Sequence, residues 1–89
     1  MNFIAIIGIV KGLMKGKTNE YDVLKVKVDK PFIEKDCEDW YELIDVNLDS
    51  AIFKREIKSI KNGAIVGIKG RISQKDNQML LIGERLQVY

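Results

Sequence analysis

A short helix that leads directly into a strand, between residues 49 and 72, constrains the fold of this chain more than any other segment. In its first half the apolar residues share one face of a helix and the cationic residues occupy the other. Asp49 or Ser50 is predicted to cap the start, and Asn62-Gly63 to end the helix. From 64 to 73 apolar residues and glycine alternate with other residues, which is typical of a strand.

Four other segments have the alternation or the apolar content of strands, at residues 2–11, 21–32, 40–48 and 79–89. The segments between them are polar or rich in glycine and are predicted loops, at 12–20, 33–39 and 73–78. The predicted order is therefore three strands, one helix and two strands. This order predicts an all-β fold, the five-stranded Greek-key OB-fold barrel with one helix between strands 3 and 4. Closing the barrel removes most of the unpaired strand edges of so short a chain.

The composition narrows the class of protein. With 89 residues, 46% of them hydrophobic, the chain is expected to form one domain, residues 1–89, with one core. No apolar run approaches the roughly 20 residues that span a bilayer, and no signal peptide is recognisable. The single cysteine, Cys37, cannot form an internal disulfide, which favours a cytoplasmic location. Without histidine, a nucleophile elbow or a glycine-rich phosphate loop, we expect neither an enzyme nor a cofactor.

The net charge is only +2, but the charges are unevenly distributed. An acidic segment at 34–49 separates two basic regions. The basic regions are either an ordinary solvated surface or a groove that binds a polyanion. The acidic segment matches no calcium-binding loop, so no metal site is predicted. It is expected to be a solvated loop or a contact between subunits.

Three motifs carry a resemblance to a known family: NFIAIIGIVK at 2–11, EDW at 38–40 and KNGAIVGIKGRI at 61–72. With them the chain resembles the bacterial single-stranded DNA-binding proteins over nearly its whole length, and primosomal replication proteins share this variant of the fold. The resemblance implies binding of single-stranded DNA with little sequence preference in replication, repair or recombination. It also implies assembly into a homodimer or homotetramer through the first strand. The acidic tip that recruits replication or repair proteins in the family has no counterpart here, so we expect that function to be missing.

The resemblance also assigns candidate binding residues. Trp40 occupies the position of an aromatic residue that stacks on bases, and Phe32 falls near a second one. Stacking contributes about 1–3 kcal/mol per base without reading sequence. Phosphate contacts are expected from outward-facing and first-loop cations, namely Lys25, Lys27, Lys69, Arg71, Lys11, Lys15 and Lys17.

Each of these candidates has a structural alternative. Trp40 and Phe32 could pack in or cap the barrel, and Phe3 and Phe53 are expected to pack. The strand lysines could be a solvated face or protect an edge from aggregation. The alternative function is a protein-interaction module, such as a primosome-like or oligomer-building subunit. It is favoured by the acidic segment and by the lack of aromatic residues in the 73–78 turn. Binding of RNA instead of DNA also stays open, because stacking does not distinguish the sugars.

Overall fold

The computed structural model describes residues 1–15, 21–29 and 41–89. The described residues form five strands and one helix: β1 (Ile4–Lys15), β2 (Tyr21–Asp29), β3 (Tyr41–Asp49), α1 (Lys54–Ser59), β4 (Ile65–Lys75) and β5 (Gln78–Val88). This is the predicted order. Within the described residues, no helix is both long enough and apolar enough to cross a membrane.

The strands close into a barrel in the order β1-β2-β3-β5-β4. The first half of β1 pairs with β4 and its second half with β2, so one long strand joins both sides of the sheet. A short parallel contact between β3 and β5, at Asn47–Ile82 and Leu48–Gly83, completes the closure. The predicted OB-fold barrel with a helix between strands 3 and 4 is confirmed.

The first strand is longer than the sequence predicts. Residues 12–15 were expected in a loop, but they continue β1 and pair with β2 as far as Lys15 opposite Asp22. The register shifts between Val10 and Gly12, which marks a β-bulge at Lys11. The bulge bends the strand while keeping it paired. The glycine and lysine residues of this segment therefore do not mark a loop, and the loop predicted for 12–15 is wrong.

The core follows from the period of two along the strands. Its fully or nearly fully buried side chains are Val10, Leu24, Val26, Val46, Leu48, Phe53, Val66, Ile68 and Ile82. Phe53 packs in this core, as predicted, whereas Phe3 is largely exposed and the packing role predicted for it is wrong. No charged or polar side chain is buried among the described residues. The inside of the barrel is therefore apolar, and the described polar and charged groups that could bind a ligand lie on its outer surface.

The helix is shorter than predicted. It begins at Lys54, directly after Phe53, and no side chain caps it. The Asp49 carboxylate instead accepts hydrogen bonds from the backbone N–H groups of Ala51 at 2.9 Å and Ile52 at 3.2 Å, so it stabilises the turn that precedes the helix. Ile52, predicted on the apolar face, is exposed in this turn.

A side chain extends the ladder between β1 and β4. The Asn2 side chain accepts a hydrogen bond from the Ile72 N–H at 2.9 Å and donates one to the Ile72 carbonyl oxygen. These two bonds continue the register of Ile4 opposite Gly70 by two residues, to Asn2 opposite Ile72. The side-chain amide of Asn2 thus takes the place of the backbone N–H and C=O groups of a strand residue, and it holds the start of the chain against β4.

Candidate nucleic-acid interface

The outer surface of β2 and β3, with the second half of β1 beside it, combines cations with exposed apolar side chains. We call it the β2–β3 face. Lys27 lies between Ile9 of β1 and Leu43 of β3 in the register. Lys25 lies between Gly12 and Asp45 in the same way. Because their neighbours in sequence on β2, such as Val26, are buried inside the barrel, both lysines point outward as predicted.

On this face a lysine ammonium group lies over an exposed aromatic ring. The Lys27 Nζ atom lies 4.4 Å from the centroid of the Tyr41 ring, within the range of a cation–π contact. Tyr41 is 39% exposed and Leu43, two residues along β3, is 51% exposed. A ring, an aliphatic side chain and an ammonium group therefore form one surface on which a base and a phosphate can both be bound.

The other cations of this face are weakly held. Lys25 Nζ lies 3.9 Å from the Asp45 carboxylate, and both side chains are substantially exposed, so the pair contributes little. Lys11 is exposed at the bulge, next in sequence to Gly12, which pairs with Lys25. The structure thus brings three predicted phosphate ligands, Lys11, Lys25 and Lys27, to neighbouring positions of β1 and β2.

Two other predicted cations lie elsewhere. Lys69 pairs with Ala5 of β1, whereas Lys27 pairs with Ile9. Four residues of strand separate these positions by roughly 13 Å along β1, and the two lysines are on opposite sides of that strand. Arg71 lies farther from β2 than Lys69 does along β4, and its Nε atom is 3.6 Å from the Glu84 carboxylate. Among the described residues, Lys69 and Arg71 therefore lie apart from Lys11, Lys25 and Lys27.

Several predicted site residues fall outside the described part of the chain. Trp40, Phe32 and Lys17 lie in the segments at 16–20 and 30–40, as do most of the acidic residues of the 34–49 segment. Lys15 is the last residue of β1 and is placed by its backbone pairing alone. The roles of these residues stay predictions.

Tyr41 was not among the predicted site residues, although the sequence contains a signal for it. In β3 the apolar side chains that contribute to the core are Ile44, Val46 and Leu48. The period of two therefore places Tyr41 and Leu43 on the outside, where Leu43 lies opposite Lys27 and Tyr41 lies opposite Asp29 of β2. The prediction names Trp40 because the family resemblance places a stacking aromatic residue there, and it does not use the alternation that places the next residue, Tyr41, outward.

Comparison with known proteins places the fold. No protein-family model matches this chain, and no curated protein matches it in sequence. Among solved structures it is similar to the mitochondrial single-stranded DNA-binding protein Rim1 of S. cerevisiae, with a TM-score of 0.72 and 9% identity over 97% of this chain and 90% of that one. It is also similar to the dimeric N-terminal domain of PriB from Thermoanaerobacter tencongensis, with a TM-score of 0.69 and 13% identity over 99% and 96%. The chain has an SSB-type OB fold.

A third similarity is partial. A chain of the S. pombe Stn1-ten1 complex superposes with a TM-score of 0.68 and 17% identity, and it covers all of this chain but only 59% of the other. The present chain therefore spans less than two thirds of that relative. At identities this low the SSB-type OB fold is what the comparisons share, and each residue's role rests on its own geometry.

Proposed function

We propose that this protein binds single-stranded DNA, with little preference for sequence, through the β2–β3 face. The observation that carries the proposal is the exposed Tyr41 ring with the Lys27 ammonium 4.4 Å from its centroid. A base offers a π-face whatever its identity, and each base is followed by a phosphate. An aromatic ring beside a cation matches this pairing of chemistries.

The other residues of the face extend the site in both directions. Lys25 exchanges its exposed Asp45 partner for a phosphate, and Lys11 reaches the backbone from the bulge. Trp40 and Phe32 are proposed as further stacking residues on the grounds of the family resemblance. The proposed setting is the shielding of single strands during replication, repair or recombination in the cytoplasm. The similarity to Rim1, whose name describes a single-stranded DNA-binding protein, supports it.

Salt dependence is the direct test of this proposal. If Lys11, Lys25 and Lys27 neutralise about three phosphates, log K should fall with log[salt] with a slope of about −2, at about 0.7 per phosphate on a single strand. We expect affinity for oligo-dT to fall roughly 16-fold between about 50 and 200 mM salt. The measurement is the anisotropy of a labelled oligo-dT, with Trp40 emission as a second readout. Absence of salt-sensitive binding would contradict the proposal.

Self-association is the second candidate function, and a different observation favours it. Ile9 of β1 lies opposite Ile65 of β4, and both side chains are exposed next to exposed Ile7. Contiguous apolar surface of this kind is typical of protein–protein contacts. The similarity to the dimeric PriB domain supports the same candidate. The protein would then build a homodimer or homotetramer through β1, with or without DNA.

Replacing Ile65 with lysine tests this second candidate. A charge at the centre of an apolar contact is left without water or a partner, so we expect the oligomer to dissociate. Sedimentation velocity over a range of protein concentrations measures the change, with Ile52→Lys, an exposed isoleucine before the helix, as the control. A wild-type protein that sediments as a monomer at every concentration would rule the candidate out.

A further inference from the structure

Two cations face each other directly across β4 and β5 on the outside of the barrel. Lys69 pairs with Arg85 in the register, and both side chains are exposed. Like charges opposite each other in a sheet are destabilising. Among the described residues neither one makes an ion pair, and Glu84, the neighbour of Arg85, pairs with Arg71. No ion pair among the described residues therefore relieves this repulsion.

The two cations stand between two depressions in the surface. The first has a volume of about 350 Å³ and is lined by the cation pair together with Ala5, Ile7, Gly67, Gln87 and Tyr89, among others. The second has a volume of about 320 Å³ and is lined by the same pair with Phe3, Gly70 and Glu84. We call the two together the β4–β5 groove.

An exposed aromatic ring lies in each half of this groove. Tyr89 is 66% exposed and Phe3 is 64% exposed. The Tyr89 ring lies against Gly67, where a Cβ atom would stand 3.2 Å from the ring, so the glycine makes room for the ring on the strand. The order along the groove is thus aromatic ring, cation pair, aromatic ring.

We propose that the β4–β5 groove is a second binding site for a single nucleic-acid strand. This inference rests on the proposed function. A phosphodiester between Lys69 and Arg85 relieves their repulsion, and the bases on either side stack on Tyr89 and Phe3. The Gln87 amide, which lines the same depression, offers a donor and an acceptor to a base edge.

Charge decides between a nucleic acid and the competing occupant, a second copy of this chain. In a symmetric dimer centred on the groove, each cation pair would meet the same pair of the partner. The adjacent carboxylate, Glu84, is already engaged with Arg71. A second copy would therefore add repulsion where a phosphate removes it, and the groove favours the polyanion.

The test uses strand length and a matched loss of charge. The variant Lys69→Gln/Arg85→Gln is compared with Arg55→Gln/Lys58→Gln, which removes the same two charges from exposed positions of α1. Each protein is titrated with labelled oligo-dT of about 5 and about 16 nucleotides, near the two ends of the range that an OB fold covers. The short strand fills the β2–β3 face alone, whereas the long strand also reaches the groove.

We expect the groove variant to bind the short strand within about twofold of wild type and the long strand about tenfold more weakly. Its salt slope on the long strand should be shallower by about 0.7, which corresponds to the one phosphate that lies between the two cations. The α1 control should bind both strands within about twofold of wild type. Tyr89→Ala should weaken only the long strand, and Tyr89→Phe should restore it. In the wild-type protein, the amide resonances of Gly67 and Arg85 should shift with the long strand and not with the short one.

Each contrary result has a distinct meaning. Equal losses in the groove variant and the α1 control would reduce the effect to general charge and overturn the inference. An unchanged long-strand affinity with altered sedimentation would assign the groove to a second copy and also overturn it. If wild-type protein binds neither strand, the proposed function fails and the inference fails with it. If the wild-type protein binds DNA and the groove variant binds each strand as tightly as wild type does, only the inference fails.

Discussion

Replacing Gly70 with alanine is expected to lower the free energy of unfolding by about 3 kcal/mol or more, at the upper end of what overpacking costs. A Cβ atom at this position would lie 1.8 Å from the carbonyl oxygen of Ile82 and 3.1 Å from the Cα atom of Gly83. These are backbone atoms of the neighbouring strand, so no side-chain rotation can relieve the clash. Gly70 is buried opposite Gly83, where the β4–β5 register shifts, and the two strands would have to separate there.

Gly12→Ala is the matched control for this change. It adds the same methyl group to another strand glycine, but among the described residues no atom beyond its two chain neighbours lies within 4 Å of its Cβ position. Its backbone φ is not positive, so alanine fits without strain and should be neutral or stabilise by about 0.4–1 kcal/mol through the unfolded chain. Urea unfolding followed by circular dichroism measures both. Equal effects of the two substitutions would show that the close approach of β4 and β5 does not limit stability.

The close approach at Gly70 was only partly predictable. The sequence indicates that Gly67 and Gly70 leave space for a neighbour in an otherwise alternating strand. Which atom takes that space depends on the register with β5, and no local pattern contains the register. The structure assigns the ring of Tyr89 to Gly67 and the backbone of Ile82 to Gly70. The first can move and the second cannot, and this difference determines the expected cost.

The order of the elements was predictable because each has its own period. The boundaries were less so, for physical reasons. At the bulge near Lys11 the alternation loses its phase, so a strand that continues to Lys15 has the local appearance of a loop. Before α1, the Asp49 carboxylate bonds to the Ala51 and Ile52 amides and stabilises a turn, although the same residues also fit the start of a helix.

The candidate site, like the fold, was predictable only in part. Alternation along β2 is enough to place Lys25 and Lys27 outward, and the structure confirms it. The pairing of Lys69 with Arg85 is not visible in the sequence, because it depends on the register shift between Lys69 and Gly70. Arg85 was therefore not among the predicted cations. A bulge changes which charges meet across a sheet, and here it brings two cations together.

Replacing Tyr41 with alanine is expected to weaken binding of oligo-dT by roughly 5- to 150-fold, which corresponds to the loss of about 1–3 kcal/mol of stacking. The side chain is partly exposed and is not in the core, so the fold should persist. Tyr41→Phe keeps the ring and should bind within about twofold of wild type. Fluorescence anisotropy measures the affinities, and circular dichroism checks the fold. Alanine and phenylalanine variants that bind equally well would remove Tyr41 from the site.

The salt slope of the alanine variant separates two mechanisms on the β2–β3 face. In the free protein the Tyr41 ring also holds the Lys27 ammonium group in place. If the ring only stacks on a base, Tyr41→Ala lowers the affinity and leaves the slope unchanged. If the ring also positions Lys27 for a phosphate, the slope becomes shallower by about 0.7. In the second case Lys27→Gln and Tyr41→Ala are not additive in a double-mutant cycle, because each already removes part of what the other contributes.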